Sequence, residues 1–229
     1  MRIMRNWLIG LAAVAIVGFG LTRVARTESV TVPAPAVDAQ LAPAGTPTKM
    51  AVVAGGCFWG IQAVYQHVRG VKKAVSGYAG GEANTAHYEM VGTGRTGHAE
   101  SVQIFYDPAV VSYGQLLRVF FSVAHDPTTL NSQGPDDGPQ YRSAIFFQDG
   151  EQEKIARAYI AQLDQAHVFR SPIVTDVTKL PGFYDAEDYH QDYATLHPRD
   201  SYIMINDAPK VANLKTAFPD LYVDPGKRR

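Results

Sequence analysis

Residues 51–60, Ala-Val-Val-Ala-Gly-Gly-Cys-Phe-Trp-Gly, pass from a short apolar run to two glycines and then to Cys57. A continuous apolar run of this length that ends at glycine predicts a buried strand. Beyond it the apolar residues recur at helical spacing, which predicts a helix that starts at Cys57 and ends near Gly70. These apolar residues are Ile61, Val64, Tyr65 and Val68.

The rest of the chain continues this interspersion of strands and helices. Ser112 and Gln115 form a capping box at the start of a second long helix. The pattern predicts strands at 71–81, 99–107, 140–147 and 172–177, and a third helix at 151–166. We therefore predict an α/β (α+β) fold, a two-layer α/β sandwich with a ferredoxin-like β-α-β-β-α-β plait and additions.

Cys57 is the single cysteine of this sequence, so neither an internal disulfide nor a multi-cysteine metal site can form within it. A lone cysteine is often only a small buried hydrophobe. At a helix start, however, free backbone N–H groups and the helix dipole favour a thiolate, so we expect a lowered pKa. The flanking glycines would let another molecule approach the backbone. Phe58 and Trp59 would form an aromatic wall beside the sulfur.

Gly-Cys-Phe-Trp-Gly at 56–60 is similar to the signature of the methionine sulfoxide reductase A family. Further segments resemble family motifs in the same order, from residue 50 to about residue 193. They are Gly77-Tyr78-Ala79-Gly80-Gly81, Thr96-Gly97-His98-Ala99-Glu100, His125-Asp126-Pro127-Thr128, Asp136-Asp137-Gly138-Pro139-Gln140-Tyr141-Arg142-Ser143 and Phe183-Tyr184-Asp185-Ala186-Glu187-Asp188-Tyr189-His190-Gln191.

The resemblance implies a role for each matching residue. Cys57 would be the nucleophile, and Glu100 the acid that protonates the sulfoxide oxygen. A sulfoxide is a poor electrophile until its oxygen is protonated or strongly hydrogen-bonded, which a carboxylic acid in an apolar site can do. The remaining catalytic candidates are Tyr88, Tyr141 and the supporting carboxylate Asp136; the substrate-binding candidates are Phe58, Trp59, Tyr189 and His190.

By the same resemblance, the chain would reduce methionine S-sulfoxide, free or in proteins, to methionine and leave Cys57 as a sulfenic acid. No metal or organic cofactor is implied. Many relatives carry further cysteines that resolve the sulfenic acid, but residues 194–229 contain none and Gly92 stands in the loop before the acidic motif. Regeneration would therefore need an external thiol, from a thioredoxin-like protein or glutathione.

Two other functions remain open from the sequence. Cys57 and His98 could serve a thiol hydrolase or acyltransferase, although the family motif uses this histidine structurally. Oxidation of Cys57 in proportion to the sulfoxide consumed would exclude it. A non-catalytic binder of oxidised methionine would show no turnover with any reductant. His190 beside two acidic residues suggests a metal in isolation, but without a second histidine at ligand spacing a structural or substrate-edge role is favoured.

The formal charge of −1 argues against a nucleic-acid partner. A basic start followed by an apolar run predicts that residues 1–26 are a secretory signal or an uncleaved membrane anchor. The Pro- and Ala-rich residues 27–48 indicate an extended or disordered linker. Residues 49–229 would form the reductase domain with an extended C-terminal tail.

The basic start and apolar run predict an exported domain, in the periplasm or anchored to the membrane with the domain outside the cytoplasm. A reporter that is active only in the cytoplasm, fused after residue 48, should therefore be inactive. Fusion of the same reporter to residues 27–48 alone, which lack the apolar run, should leave it active. Activity of the first fusion would contradict export.

Overall fold

The computed structural model describes residues 30–225, which fold around one six-stranded sheet with strand order β7-β6-β1-β3-β2-β8. Its strands are β1 (Lys49–Ala54), β2 (Val71–Ala79), β3 (Ala99–Tyr106), β6 (Ala144–Phe147), β7 (Asp176–Lys179) and β8 (Phe183–Asp185), and a separate two-stranded ribbon comprises β4 (Ser132–Gln133) and β5 (Asp136–Asp137). The α-helices are α1 (Phe58–Gln66), α2 (Tyr88–Val91), α3 (Tyr113–Val119), α4 (Gly150–Gln165), α5 (Tyr193–Leu196) and α6 (Ala208–Ala217).

The centre of the sheet is the predicted plait. β6, β1, β3 and β2 pair antiparallel in that order, and α1 and α3 connect β1 to β2 and β3 to β6. β7 extends the sheet parallel to β6 after the crossover helix α4, and β8 pairs antiparallel with the opposite edge strand β2. The predicted fold class and plait are confirmed, with one added strand on each side.

Residues 51–54 of β1 are all apolar because both faces of this part of the strand are buried. Ala51 and Val53 point into the large core, which includes apolar residues of α1, α3 and α4. Val52 and Ala54 point the other way, into a small cluster with Phe146. Antiparallel pairing places Ala54 opposite Ser101, so the chain that leaves β1 passes the start of β3.

Two predicted strands begin later in the structure than predicted, and the two predicted at 71–81 and 99–107 end one or two residues early. The strand predicted at 140–147 begins only at Ala144, because Pro139 opens a 3₁₀ turn, Pro139–Tyr141, that removes the first residues from the sheet. The strand predicted at 172–177 begins only at Asp176. The capping box of Ser112 and Gln115 is present as predicted at the start of α3.

The described part of the predicted linker, residues 30–48, is extended but not free. Val32 is fully buried, and Tyr159 of α4 donates a 2.6 Å hydrogen bond to the carbonyl of Pro33. Asp38 accepts hydrogen bonds from the Ser112 hydroxyl at 2.5 Å and from the Gly114 N–H at 2.7 Å, at the start of α3. Of the two predicted alternatives, extended or disordered, these residues show the first, and they form a strap over α3 and α4.

The predicted C-terminal tail forms helical turns and a helix in the part that the structure describes, as far as residue 225. A π-helical turn at Ile203–Asp207 leads directly into α6, and α6 packs against α1. Residues 1–29 and 226–229 lie outside the described part, and so does the predicted signal or anchor at 1–26. Among the helices of residues 30–225, none has the length and apolar character needed to cross a membrane.

Candidate active site

Cys57 is the residue immediately before the first turn of α1, at the point where the chain has just left β1. Its side chain is only 8% exposed. The turn is made by Gly56, which has a φ of +95° that other residues rarely adopt. A Cβ on Gly56 would lie 2.7 Å from the Cβ of Gln133, so this glycine admits the chain's own loop rather than another molecule, contrary to our expectation.

The Cys57 thiol is protonated in this site. Burial raises its pKa well above the ordinary value, and the charges of Glu100 and Asp207 raise it further. The N–H of Trp59, in the first turn of α1, and the cation of Lys210 oppose this effect and are outweighed. The expected lowering of the pKa by the helix start is therefore wrong for this structure, and the thiol must lose its proton during the reaction.

Glu100 lies beside Cys57 and is almost completely buried, with 4% exposure. The backbone N–H of Phe58 donates a 3.1 Å hydrogen bond to its Oε2 atom. Burial raises the Glu100 pKa to about 8, and the acidic groups of Asp136 and Asp207 add to the rise against the opposing effect of the Phe58 N–H. Glu100 is thus a neutral carboxylic acid at pH 7, able to donate a proton.

The structure brings the other three catalytic candidates to the same place. Burial, followed by the charge of Glu100, raises the pKa of both Tyr88 and Tyr141, so both phenols keep their protons as hydrogen-bond donors. Tyr88 is 38% exposed and Tyr141 is half-buried. Asp136 accepts a short hydrogen bond from the Tyr202 hydroxyl, and burial raises its pKa.

The four substrate-binding candidates form an aromatic cluster around His190. The Trp59 indole N–H donates a 3.2 Å hydrogen bond to His190 Nδ1, so the ring proton of neutral His190 is on Nε2, which lies 3.9 Å from Glu187 Oε2. Burial lowers the His190 pKa and keeps the ring neutral. Phe58 is buried, with its ring centroid 5.0 Å from that of His190, whereas Tyr189 is 60% exposed at the edge of the cluster.

His98 does not face the thiol. Its Nδ1 accepts a hydrogen bond from the Gly81 N–H at 3.2 Å, and its Nε2 lies 3.0 Å from the carbonyl of Glu82. Both ring nitrogens are thus engaged by the backbone, which leaves no base for a Cys57–His98 hydrolase. Within residues 30–225, no group of three or more His, Cys, Asp or Glu side chains could hold a metal ion.

Four residues of the site were not predicted from the sequence. Glu187 accepts hydrogen bonds from the Tyr78 hydroxyl and the Tyr88 N–H, each at 2.9 Å, and so fixes Tyr88. Tyr202, Asp207 and Lys210 come from the C-terminal segment. The local signal for that segment is Asp207-Ala208-Pro209-Lys210, since an acidic residue followed by a proline within the first helical turn is typical of a helix start.

One thiol beside a neutral carboxylic acid and two neutral phenols, carried on this plait, defines a thiol-dependent reductase. The family model described as "Peptide methionine sulfoxide reductase" matches residues 49–221. A relative from Mesorhizobium japonicum, "Peptide methionine sulfoxide reductase MsrA 2", is 62% identical over 175 residues, which cover 76% of this chain and 90% of the relative. A relative of the same name from Synechocystis is 49% identical over 195 residues, 84% of this chain and 90% of the relative.

Solved structures agree. The reduced form of Mxr1 from Saccharomyces cerevisiae matches with a TM-score of 0.62 and 31% identity, over 75% of this chain and 96% of that one. Methionine sulfoxide reductase A of Corynebacterium diphtheriae matches with a TM-score of 0.57 and 32% identity, over 77% and 92%. The chain therefore belongs to the peptide methionine sulfoxide reductase family. The predicted activity, reduction of methionine sulfoxide as a means of protein repair, is confirmed, and enzymes of this family need no prosthetic cofactor.

The raised pKa of Glu100 predicts a specific effect of pH on stability. Between the unfolded value near 4.5 and the folded value of about 8, the folded protein holds a proton that the unfolded chain releases. The wild-type free energy of unfolding should therefore fall relative to that of Glu100→Gln as pH rises through this window, by roughly 1.4 kcal/mol per pH unit. Urea unfolding from pH 4 to 9 measures the difference, with exposed Glu89→Gln as control. A constant difference would contradict the buried neutral acid.

Proposed function

We propose that this chain reduces methionine S-sulfoxide, free or in proteins, with Cys57 as nucleophile and Glu100 as general acid. The observation that carries the assignment is the hydrogen bond from the Phe58 N–H to Glu100, which holds a buried carboxylic acid with a pKa of about 8 at the start of α1, next to Cys57. A neutral acid is what a sulfoxide oxygen needs to become a leaving hydroxyl.

The proposed first step conserves every atom and proton. Cys57 Sγ forms a bond to the sulfoxide sulfur, while Glu100 gives its proton to the oxygen and receives the thiol proton. The neutral adduct then breaks its new sulfur–sulfur bond as the hydroxyl passes to Cys57. Methionine leaves, reduced by two electrons, and Cys57 becomes the sulfenic acid, oxidised by two electrons.

Tyr88 and Tyr141 would hold the sulfoxide oxygen near Glu100 with their phenol protons. Both phenols stay neutral because of burial and the nearby acidic groups, so they can donate hydrogen bonds throughout the reaction. Asp136 would support Glu100, since its negative charge helps to keep the Glu100 proton in place. Preorganised donors of this kind stabilise charge that develops on an oxygen.

The methyl group and the rest of the substrate would bind against Phe58, Trp59, Tyr189 and His190. Trp59 is held on both sides, by its hydrogen bond to His190 and by stacking on Tyr193 with ring centroids 3.8 Å apart. A fixed aromatic wall suits an apolar methyl group. The exposed Tyr189 at its edge would contact the remainder of a bound protein or peptide.

We further propose that an external thiol regenerates Cys57. The sequence holds no second cysteine, so the sulfenic acid has no internal partner with which to form a disulfide. The first external thiol would displace water and give a mixed disulfide, and a second would release Cys57 as the thiol. A monothiol such as glutathione, or a donor that reduces the sulfenic acid directly, fits this sequence of steps. A thioredoxin-like protein would act on the mixed disulfide.

We propose in addition that the domain is exported. The support is the basic start and apolar run at residues 1–26, and whether that segment is cleaved or retained as an anchor decides between a periplasmic and a membrane-attached protein.

The first step predicts distinct effects for two variants. Cys57→Ser should abolish sulfoxide reduction, because a hydroxyl is far less nucleophilic than a thiol. Glu100→Gln should slow single-turnover formation of the sulfenic acid by roughly 10²–10⁴-fold, the usual contribution of acid catalysis. Glu89→Gln is the matched control for charge. An unchanged rate in folded Glu100→Gln would remove Glu100 from the role of acid.

Recycling can be followed by mass spectrometry of the intact protein. With substrate and no reductant, wild type should gain one oxygen on Cys57, and glutathione should then convert it to a glutathione adduct with loss of water. Cys57→Ser should show neither change. A Cys57–Cys57 dimer as the main product would contradict the monothiol route.

A further inference from the structure

A buried ion pair, Asp207 with Lys210, lies against the first turn of α1. Lys210 Nζ donates a 3.1 Å hydrogen bond to Asp207 Oδ1. Asp207 is completely buried and Lys210 is 7% exposed. The two residues are three apart where the π-helical turn gives way to α6, so their side chains emerge on one side of the chain.

Gly60 shows how close this pair is to the active site. A Cβ on Gly60 would lie 2.1 Å from Asp207 Oδ1 and 2.9 Å from Lys210 Nζ, so only glycine leaves room for the pair. Gly60 belongs to the first turn of α1, and Cys57 is the residue that caps this turn. The ion pair therefore lies against the turn that begins at Cys57, close enough for both charges to act on the sulfur.

Stability does not explain such a pair. Removing two charges from water costs about as much as their attraction returns, and an apolar replacement is often as stable. Asp207 is also incompletely satisfied, because its Oδ2 atom is buried without a hydrogen-bond partner in the described part of the chain. A buried ion pair beside a nucleophile, with one carboxylate oxygen left without a partner, is instead typical of a functional site in which a nearby charge shifts the pKa of the nucleophile.

We propose that Lys210 is a positioning residue for Cys57: its ammonium group, fixed by Asp207 against the Gly60 face of α1, stabilises the negative charge that forms on the Cys57 sulfur as the thiol proton leaves. This role rests on the proposed function, in which that proton passes to Glu100. Asp207 has the opposite direct effect on the sulfur, because its own charge is negative. The two members of the pair thus act on Cys57 with opposite signs.

Several other groups face Cys57 and set the background for any pH measurement. They are Glu100 from β3, Tyr88 from α2, Tyr141 from the 3₁₀ turn, Tyr202 just before the π-helical turn, Asp207 at the end of that turn and Lys210 from α6. Among them Lys210 supplies the positive charge. Removing the Lys210 charge and removing the Asp207 charge should therefore shift the Cys57 pKa in opposite directions. A general loss of packing would not shift this pKa in opposite directions in the two variants.

The test uses alkylation of the full chain with iodoacetamide, which reports on Cys57 alone because the sequence holds one cysteine. The alkylation rate is measured against pH for wild type, Lys210→Met and Asp207→Asn. Lys210→Met should slow alkylation at pH 7.5 about tenfold and raise the midpoint by about one pH unit, the scale of one unit charge at a partly screened distance of several ångström. Asp207→Asn should lower the midpoint. Lys215→Met, on the same helix but exposed, is the control and should match wild type.

Shifts of the same sign in the two variants, or unchanged midpoints in folded proteins, would overturn the role of Lys210. If Lys210→Met does not fold, Lys210→Gln removes the same charge and should raise the midpoint in the same way, whereas Lys210→Arg, which keeps the charge, should retain the wild-type midpoint. Alkylation needs no sulfoxide, so it tests the role of Lys210 independently of turnover. A wild-type protein that does not reduce sulfoxide would overturn the proposed function, and the alkylation midpoints could still be compared.

Discussion

The hydrogen bond from the Phe58 N–H to Glu100 is the contact on which the site depends. It joins the first turn of α1 to β3 and places the carboxyl group beside the Cys57 thiol. Because both groups are buried, both keep their protons, and the site is held in a neutral form. Binding of a sulfoxide then needs no prior separation of charge, and the charges that develop during attack do so among donors that are already in place.

The electrostatics of Cys57 show how two local rules can compete. A helix start favours a thiolate, and here that effect reaches the sulfur through one N–H, that of Trp59. Burial favours the thiol and is the larger influence. The sequence motif predicts the effect of the helix start, because that effect arises from residues next to Cys57 in the sequence. The effect of burial depends on the packing of β3, α2 and the C-terminal segment around the sulfur, which no local pattern specifies.

Features that depend on local sequence could be predicted, whereas features that depend on the packing of distant segments could not. The plait follows from apolar runs and capping residues, and Glu100 from a motif adjacent to its strand. The hydrogen bond between Tyr202 and Asp136 joins residues 66 positions apart, and the sequence around one residue does not indicate that the other is its partner. The strap at 30–48 was predicted as a linker because its composition, rich in proline and alanine, is the same whether such a chain is free or bound along two helices. The burial of Val32 and the hydrogen bond that Asp38 accepts at the start of α3 show that this chain is bound along the helices.

If the proposed N-terminal anchor is retained, the strap limits how far the domain can move from the membrane. With residues 30–48 fixed to α3 and α4, only residues 27–29 stand between Val30 and the end of the predicted signal or anchor segment at residue 26. Four extended residues span at most about 14 Å. If the segment stayed in the membrane, Val30 would remain within that distance of residue 26. The enzyme would then work as a surface-bound repair protein, reaching oxidised methionines close to the bilayer rather than throughout the surrounding space.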